Sequence, residues 1–313
     1  MAVPCTSALP CVIEGYNSTH GDLGTAPVFT SATNSINLWT TNNADNTTAR
    51  NIKFTHTAAT RGNCLHAVTS NSNPFKVELS TFDGCNLAIN LSTVMSQLTV
   101  SNSYFTNSVT DVISAGNFAH NVTVTDSIFY NNTGSAFIHV ASAGASTLLW
   151  VNNIAAVNTY GLRSTNASAT NLWWVRNSSF DSNTNSGIIS ASTTTPDRMM
   201  LQNNIFWNNT TNGVNFAMAA DVVTNTNNAY GSNGTDRTNI GVGTNDVTLT
   251  GSPFTSSTNW GLNNTAGAGA ACRAAGFPGS MKDGVTTGYL DIGAVQHQDS
   301  GGAAVTRAFP FVQ

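Results

Sequence analysis

A short signal, Asn or Ser followed closely by an aromatic residue, recurs along most of the chain and constrains its fold more than any other feature. The recurrences lie 23 to 28 residues apart. Their last positions, here called the anchors, are Phe54, Phe82, Phe105, Phe129, Ala155, Phe180, Phe206, Tyr230 and Phe254. A repeat of this length cannot bury an apolar face alone, so successive repeats must stack on one another. The chain is therefore predicted to be a solenoid of about nine coils.

Apolar residues recur at two fixed distances before the anchors. Five residues before them stand Val77, Val100, Val124, Trp150, Val175 and Leu201, and seven before them stand Phe75, Leu98, Val122, Leu148, Trp173, Met199 and Val223. Residues two apart in a strand face the same side, so these columns predict a strand with an apolar inner face. Three residues before the anchors stand Asn51, Leu79, Asn102, Asp126, Asn152, Asn177, Asn203 and Asn227. We expect a bend at this column and a ladder of stacked amide side chains.

The composition favours strands over helices. Charged residues make up only 8% of the chain, against about 25% in ordinary proteins, and the Lys and Glu that cover helical surfaces are nearly absent. Leucine-rich repeats have a similar length but need Leu at fixed spacings and usually a helix in each repeat. The predicted fold class is all-β, a single right-handed parallel β-helix at residues 28–260, with an N-terminal cap at 1–27 and a C-terminal closing segment and tail at 261–313.

Two segments outside the repeats carry a family resemblance. They are PCVIEGYNSTHGD (Pro10 to Asp22) and FPGSMKDGVTTGYLDIGAVQ (Phe277 to Gln296). With the repeats, the chain resembles the pectate-lyase-like superfamily of right-handed β-helix proteins, and the two segments look like the first and closing segments of its phage and bacterial members. The resemblance implies that the last coil is closed by Gly288, Leu290, Ile292, Gly293 and Val295. Lyases, glycosidases, tailspikes and adhesins share this fold, so it does not choose a function.

Two Asp residues are the best candidates for catalysis. Glycoside hydrolysis needs two carboxylates about 5 to 9.5 Å apart. Asp197 and Asp221 each lie nine residues before an anchor on adjacent coils, so their Cα atoms should be about 5 Å apart. Asp246 falls one position off this column, while Asp83 and Asp181 share a column four coils apart, which is too far. The pair indicates a carboxylate pair of raised pKa or a calcium site, and the alternative is a polar turn.

One group of outward residues is unusually apolar. Leu149, Trp174 and Met200 lie six residues before their anchors, and Val151, Arg176 and Gln202 lie four before them. Thr and Ser fill most other positions of these two columns. Trp and Arg are enriched at interface hot spots, and an exposed apolar patch indicates a contact site. We predict a subunit interface here, with a sugar-stacking platform or cover by a loop of the same chain as alternatives.

The charges and cysteines exclude several kinds of partner. The net charge is −4, with no basic patch for nucleic acid and no apolar run long enough to insert into a membrane. Arg50 and Glu78 share an outward column and should form a surface ion pair. The five cysteines form no disulfide framework or zinc spacing, although Cys5 and Cys11 could pair locally. We expect no metal and no cofactor.

A rigid, weakly charged rod rich in Thr, Ser and Asn suits work outside a cell. The N-terminus has no visible signal peptide, and a phage particle protein would need none. The sequence therefore predicts a non-enzymatic virion structural or adhesion protein, either a spike or a capsid or tail decoration. We expect a homotrimer that contacts other virion proteins or cell-surface polysaccharide, on a virion or outside a cell. A polysaccharide lyase or glycosidase is the main alternative, and a bacterial adhesin is another.

Overall fold

The structure is a computed structural model that describes residues 11–16, 24–41, 46–67, 71–91, 95–116, 120–140, 146–165, 171–193, 197–218, 222–278 and 290–297. Three parallel sheets run the length of the molecule, and the chain visits them in turn. Sheet A contains Cys11–Glu14, Thr47–Arg50, Asn71–Glu78, Met95–Ser101, Asn121–Thr125, Thr147–Val151, Leu172–Arg176, Arg198–Gln202 and Val222–Thr226.

The other two sheets stack the remaining strands of each turn. Sheet B contains Val28–Ser31, Lys53–His56, Thr81–Asp83, Tyr104–Thr106, Ile128–Tyr130, Ile154–Ala156, Ser179–Asp181, Ile205–Trp207, Ala229–Gly231 and Val247–Thr248. Sheet C contains Trp39–Thr41, Leu65–Ala67, Ile89–Leu91, Ile113–Ala115, Ser135–His139, Tyr160–Ser164, Ser186–Ser190, Asn212–Phe216 and Thr235–Thr238. The antiparallel hairpin Phe254–Ser256 with Asn259–Leu262 and the short helix Gly269–Cys272 follow. The all-β parallel solenoid is therefore confirmed.

The predicted register holds except at its two ends. The first eight anchors pair with one another in a single column of sheet B, and this column starts one coil earlier than predicted, at Phe29. The prediction that Phe254 is the ninth anchor was wrong. Tyr230 pairs with Thr248 instead, and Phe254 lies in the antiparallel hairpin. The solenoid has about seven turns rather than the nine predicted.

The core is built from like residues stacked on like. Ring centroids lie 4.6 to 5.5 Å apart along Phe29, Phe54, Phe82, Phe105 and Phe129. Ala155 then interrupts the column, and the ring of Trp150 packs 4.9 Å from Phe129 instead. The stack resumes at Phe180. Trp150 therefore fills the volume that the small anchor leaves, as close packing of the interior requires.

The Asn column before the anchors is explained by backbone conformation. Each of its eight residues has a positive φ, between 47° and 58°. Asn and Asp tolerate this left-handed region far better than other residues that carry a side chain. Some amides also bond along the column, as Asn203 Nδ2 does to Asn177 Oδ1 at 3.0 Å. The predicted bend is confirmed, but the column lies at the corner rather than deepest in the core.

The most buried polar ladder lies one residue later and was missed. Its members are Ser80, Ser103, Ser127, Asn153, Ser178, Asn204, Asn228 and Asp246. Each side chain accepts a hydrogen bond from the backbone N–H of the equivalent residue one coil earlier, at 2.9 to 3.3 Å. A second ladder runs at the next corner through Asn132, Asn158, Asn183, Asn209 and Asn233. These side chains satisfy the backbone groups that the corners remove from the sheets.

Leu79 is the one apolar residue in the Asn column. We expect Leu79→Asn to stabilise the protein by about 1 kcal/mol, because the left-handed backbone conformation is less favourable for Leu than for Asn by roughly that amount. Its φ is 51° and its side chain is half-buried. The new amide could also donate to Asn51, one coil earlier. Denaturant unfolding measures the change, with Leu79→Ala as the matched control. A Leu79→Asn protein no more stable than Leu79→Ala would contradict this explanation.

Two cross-links connect neighbouring coils near the N-terminal end. Cys64 and Cys85 form a disulfide with a Cα–Cα distance of 5.5 Å, although the cysteine spacing did not predict one. Arg50 forms the predicted pair with Glu78, at 3.9 Å, and a closer one with Glu14, at 3.2 Å. Cys11 is also disulfide-bonded; Cys5, its suggested partner, lies outside the described residues.

The C-terminal segment covers the side of the solenoid rather than its end. Residues of the hairpin and of 290–294 bury the apolar outer face of sheet B, where they meet Ile128, Ile154 and Ile205. The backbone N–H of Gly293 donates to Asn203 O at 2.8 Å, two coils before the last strand of sheet B. The expectation that this segment closes the last coil is therefore wrong for its described residues, whereas Gly288 lies outside them.

Trp260 fixes the position of the hairpin. Its indole N–H donates to Asp181 Oδ2 at 3.1 Å, and its ring meets Tyr130 edge-on with centroids 5.9 Å apart. Between these two residues in the sheet B column stands Ala156, whose small side chain leaves room for the ring. The outer and inner faces of this coil therefore both receive a Trp where the strand itself carries Ala.

Candidate functional site

The predicted apolar patch forms one continuous surface on the outer face of sheet A. Leu149, Trp174 and Met200 are direct neighbours across three strands, and Val151, Arg176 and Gln202 form the adjacent row. Leu172, which the sequence reasoning missed, starts a third row between Thr147 and Arg198. We call Leu149, Val151, Leu172, Trp174, Arg176, Met200 and Gln202 the Trp174 face.

Exposure distinguishes the Trp174 face from the other central strands of sheet A, although the first strand, Cys11–Glu14, also exposes Val12 and Ile13. Trp174 and Leu172 keep 40% and 38% of their surface exposed, and Leu149, Val151 and Met200 are half-buried by their neighbours. The described part of the C-terminal segment packs on sheet B instead. One of the three alternatives was that a loop of the same chain covers this face. No segment in the described ranges does so. The strands hold these side chains rigidly, because each is hydrogen-bonded on both sides.

Asp197, the first of the two catalytic candidates, points into the solenoid and has no exposed surface. Its Oδ1 accepts from the backbone N–H of Asn171 at 3.1 Å and from Asn171 Nδ2 at 2.9 Å, and its Oδ2 accepts from Ser190 Oγ at 2.6 Å. Asn171 in turn accepts from Ser146, one coil earlier. Asp197 therefore continues a third buried ladder, at the corner between sheets C and A, and in this position its carboxyl cannot reach a dissolved polysaccharide.

The remaining parts of the acidic site are not brought together. Asp221 lies outside the described residues, so its pairing with Asp197 stays a prediction. Asp246 is not near that column, because it accepts from the N–H of Asn228 at the opposite end of the sheet A strand. It also binds Arg237 at 3.3 Å. Among the described residues, no group of three or more His, Cys, Asp or Glu side chains could hold a metal ion.

The carboxyl of Asp197 gives a prediction about pH. Burial raises the pKa of this group above its usual value, although hydrogen bonds from Ser190 and Asn171 lower it in part. A raised folded-state pKa means that its contribution to stability is full below the unfolded pKa, near 3.8, and is lost as pH rises through the folded pKa.

We therefore expect Asp197→Asn to stabilise the protein increasingly, relative to the parent, as pH rises from 4 to 7. Asn can keep the acceptor oxygen for Asn171 and donate to Ser190, as neighbouring ladder members do. Unfolding free energies measured across this pH range test the effect, with Asp236→Asn, at a half-buried carboxyl outside this ladder, as the control. If the difference between the two proteins were independent of pH, Asp197 would not be the group that titrates.

Comparison with known proteins adds no family. No family model matches the chain, and no curated protein and no solved structure matches it either. The resemblance to the pectate-lyase-like superfamily and to phage proteins therefore stays a prediction. None of the helices in the described ranges is long and apolar enough to cross a membrane.

Proposed function

We propose that this protein is a non-enzymatic structural and adhesion protein that works on the outside of a virion or cell, as a trimer joined through the Trp174 face. The observation that carries the proposal is the exposed Trp174 ring among four aliphatic neighbours on a rigid sheet. An exposed apolar surface of this kind is costly in water and is typical of an interaction site.

The shape of sheet A supports a subunit interface over a sugar platform. A stable interface needs about 800 Å² from each partner. Sheet A stacks nine strands, and at about 4.8 Å per strand its outer face extends for roughly 40 Å. The Thr-rich rows beside the Trp174 face could therefore form the polar rim around an apolar centre, which is the usual anatomy of an interface. Arg176 and Gln202 supply hydrogen-bond donors at that rim.

The cysteines support a location outside the reducing cytosol. The Cys64–Cys85 disulfide joins two neighbouring coils, and Cys11 belongs to a second disulfide. Disulfides persist in secreted proteins and on particle surfaces, and they are rare in the cytosol. The alternative, a polysaccharide lyase or glycosidase, gains nothing from Asp197, because that carboxyl is buried in a ladder.

Light scattering coupled to gel filtration tests the proposal. We expect the parent protein to have three times the mass of one chain and Trp174→Arg to have the mass of one chain, because a buried unpaired guanidinium costs several kcal/mol at each contact. Asn215→Arg, which places the same charge on the outer face of sheet C, should stay trimeric. A monomeric parent protein, or a trimeric Trp174→Arg, would exclude this interface.

A further inference from the structure

The outer face of sheet B changes character along the solenoid. Ile128, Ile154 and Ile205 on this face are covered by the C-terminal segment. At the edge of this cover, Tyr104 and Tyr130 pack against the apolar cluster but stay half-buried, and Asp83 and Thr106 beside them are also half-buried. We call Asp83, Tyr104, Thr106 and Tyr130 the Tyr104 site; Trp260, at the edge of the hairpin, forms its wall. The site therefore lies at the boundary between the covered and the uncovered part of the outer face of sheet B.

Register brings the four side chains of the Tyr104 site together. Thr106 pairs with Asp83 on one side and with Tyr130 on the other, so three consecutive coils contribute to one row. Tyr104 lies two residues before Thr106 and points outward beside that row. Two phenol side chains, a hydroxyl and a carboxylate thus lie side by side on the outer face of three consecutive strands.

The carboxylate of the site is oriented by a hydrogen bond and keeps further capacity to accept hydrogen bonds. Among the described residues, Asp83 receives one side-chain hydrogen bond, from Asn107 Nδ2 to Oδ1 at 2.9 Å. That bond orients the carboxylate and leaves Oδ2 available to a ligand. Asn107 is itself held by Asn131 Nδ2 at 2.9 Å and, through its carbonyl oxygen, by Arg61 at 2.7 Å. The acceptor is therefore pre-organised, which lowers the entropic cost of binding.

We propose that the Tyr104 site binds a neutral oligosaccharide. A sugar ring offers an apolar face and a rim of hydroxyls, and the site offers aromatic surface beside oriented acceptors and donors, the combination that small-ligand sites use. Perpendicular to the strands, the coils are spaced at about 4.8 Å, close to the length of one sugar unit, so a chain of sugars can follow the row from the wall towards Lys53. This site goes beyond the proposed trimer, because it lies on a different sheet and needs no second subunit.

The charges indicate a neutral ligand rather than an anionic one. The row contains the carboxylate of Asp83; the cations near it among the described residues are Lys53, on the preceding strand of sheet B, and Arg61, whose guanidinium is bound to Asn107 O. An anionic polysaccharide would meet repulsion from Asp83 without a compensating cluster of Arg or Lys. Burial raises the pKa of Tyr104 above its usual value, so its hydroxyl stays protonated and can donate to a sugar oxygen throughout the physiological range.

Isothermal titration calorimetry of the full chain tests the proposal with three neutral hexasaccharides: maltohexaose, cellohexaose and N-acetylchitohexaose. Hexagalacturonate serves as the anionic comparison. We expect at least one neutral chain to bind more tightly than hexagalacturonate. Tyr104→Ala should weaken that binding about tenfold through loss of the ring contact, and Asp83→Asn should weaken it severalfold, because an amide replaces a charged acceptor.

Trp174→Ala is the control on the other sheet and should change the affinity by less than about twofold. Asp83→Asn is nearly isosteric and checks that a loss in Tyr104→Ala does not come from misfolding. If no neutral hexasaccharide bound, if hexagalacturonate bound more tightly, or if both Tyr104→Ala and Asp83→Asn bound like the parent, the proposal would be overturned. A monomeric parent that still bound sugar would contradict the trimer and leave this site standing.

Discussion

Replacing Asn204 by Leu is expected to lower the free energy of unfolding by about 4 kcal/mol, because the change leaves several buried polar groups without partners. Asn204 is fully buried. Its Nδ2 donates to Val175 O at 2.9 Å and to Asn228 Oδ1 at 3.0 Å, and its Oδ1 accepts from Ser178 N at 3.1 Å. Leu has a similar size but can neither donate nor accept, and each orphaned group costs about 1–3 kcal/mol.

Asn204→Ser is the matched control, because Ser occupies the same column in four other coils. Its hydroxyl can still accept from Ser178 N and donate to the carbonyl two residues earlier, as Ser178 does to Arg176 O at 2.8 Å. We expect Asn204→Ser to cost less than half as much as Asn204→Leu. Guanidinium unfolding gives the energies. Equal losses for Leu and Ser would show that side-chain volume, and not hydrogen bonding, sets the cost.

Removing the Cys64–Cys85 disulfide, as Cys64→Ala with Cys85→Ala, is expected to cost about 3 kcal/mol. The sequence separation is 21 residues, and cross-links closing loops of this size contribute about that much, mainly by restricting the unfolded chain. Each repeat of a solenoid contacts only its neighbours, so the loss should be local. Hydrogen exchange should accelerate in the strands Leu65–Ala67 and Ile89–Leu91 and stay unchanged in Asn212–Phe216.

Cys272→Ala separates the effect of the cross-link from that of a lost thiol. Cys272 is buried and free, so its replacement should cost about 1 kcal/mol by reducing core packing. Its exchange effects should appear near the C-terminal segment, where burial already raises the pKa of the thiol to about 12. If the double Ala variant accelerated exchange uniformly along the whole molecule, the solenoid would unfold as one unit and the local account would be wrong.

The coils were predicted well from the sequence because the same period-two alternation of apolar and polar residues recurs in successive coils. Val77, Val100 and Val124 are buried as expected, and one register explains them all. It failed where the repetition stops. Phe254 imitates an anchor, but the strand that contains it pairs antiparallel with a neighbouring segment. No local pattern announces that change of partner.

Polar residues were harder to interpret than apolar ones, for a physical reason. Asn favours left-handed corners, buried ladders and exposed turns alike, so an Asn-rich sequence cannot say which role each residue plays. The corner column was recognised, while the more deeply buried one beside it was overlooked, because Ser, Asn and Asp are mixed there. Asp197 looked like half of a reactive pair for the same reason. The Trp174 face was predicted because its apolar side chains break an otherwise polar column, whereas the Tyr104 site depends on where the hairpin ends.

Coils that resemble one another so closely could pair with the register shifted by one coil, and the C-terminal segment could pack against any of several coils. Ala155 and Ala156 make one coil different from its neighbours. Trp150 packs against Phe129 in the coil whose anchor is Ala155, and Trp260 fits outside where Ala156 separates Tyr130 from Asp181. At the neighbouring coils the same outer position holds a large or charged side chain. These two small residues thus favour one register of the coils and one position of the C-terminal segment over the alternatives.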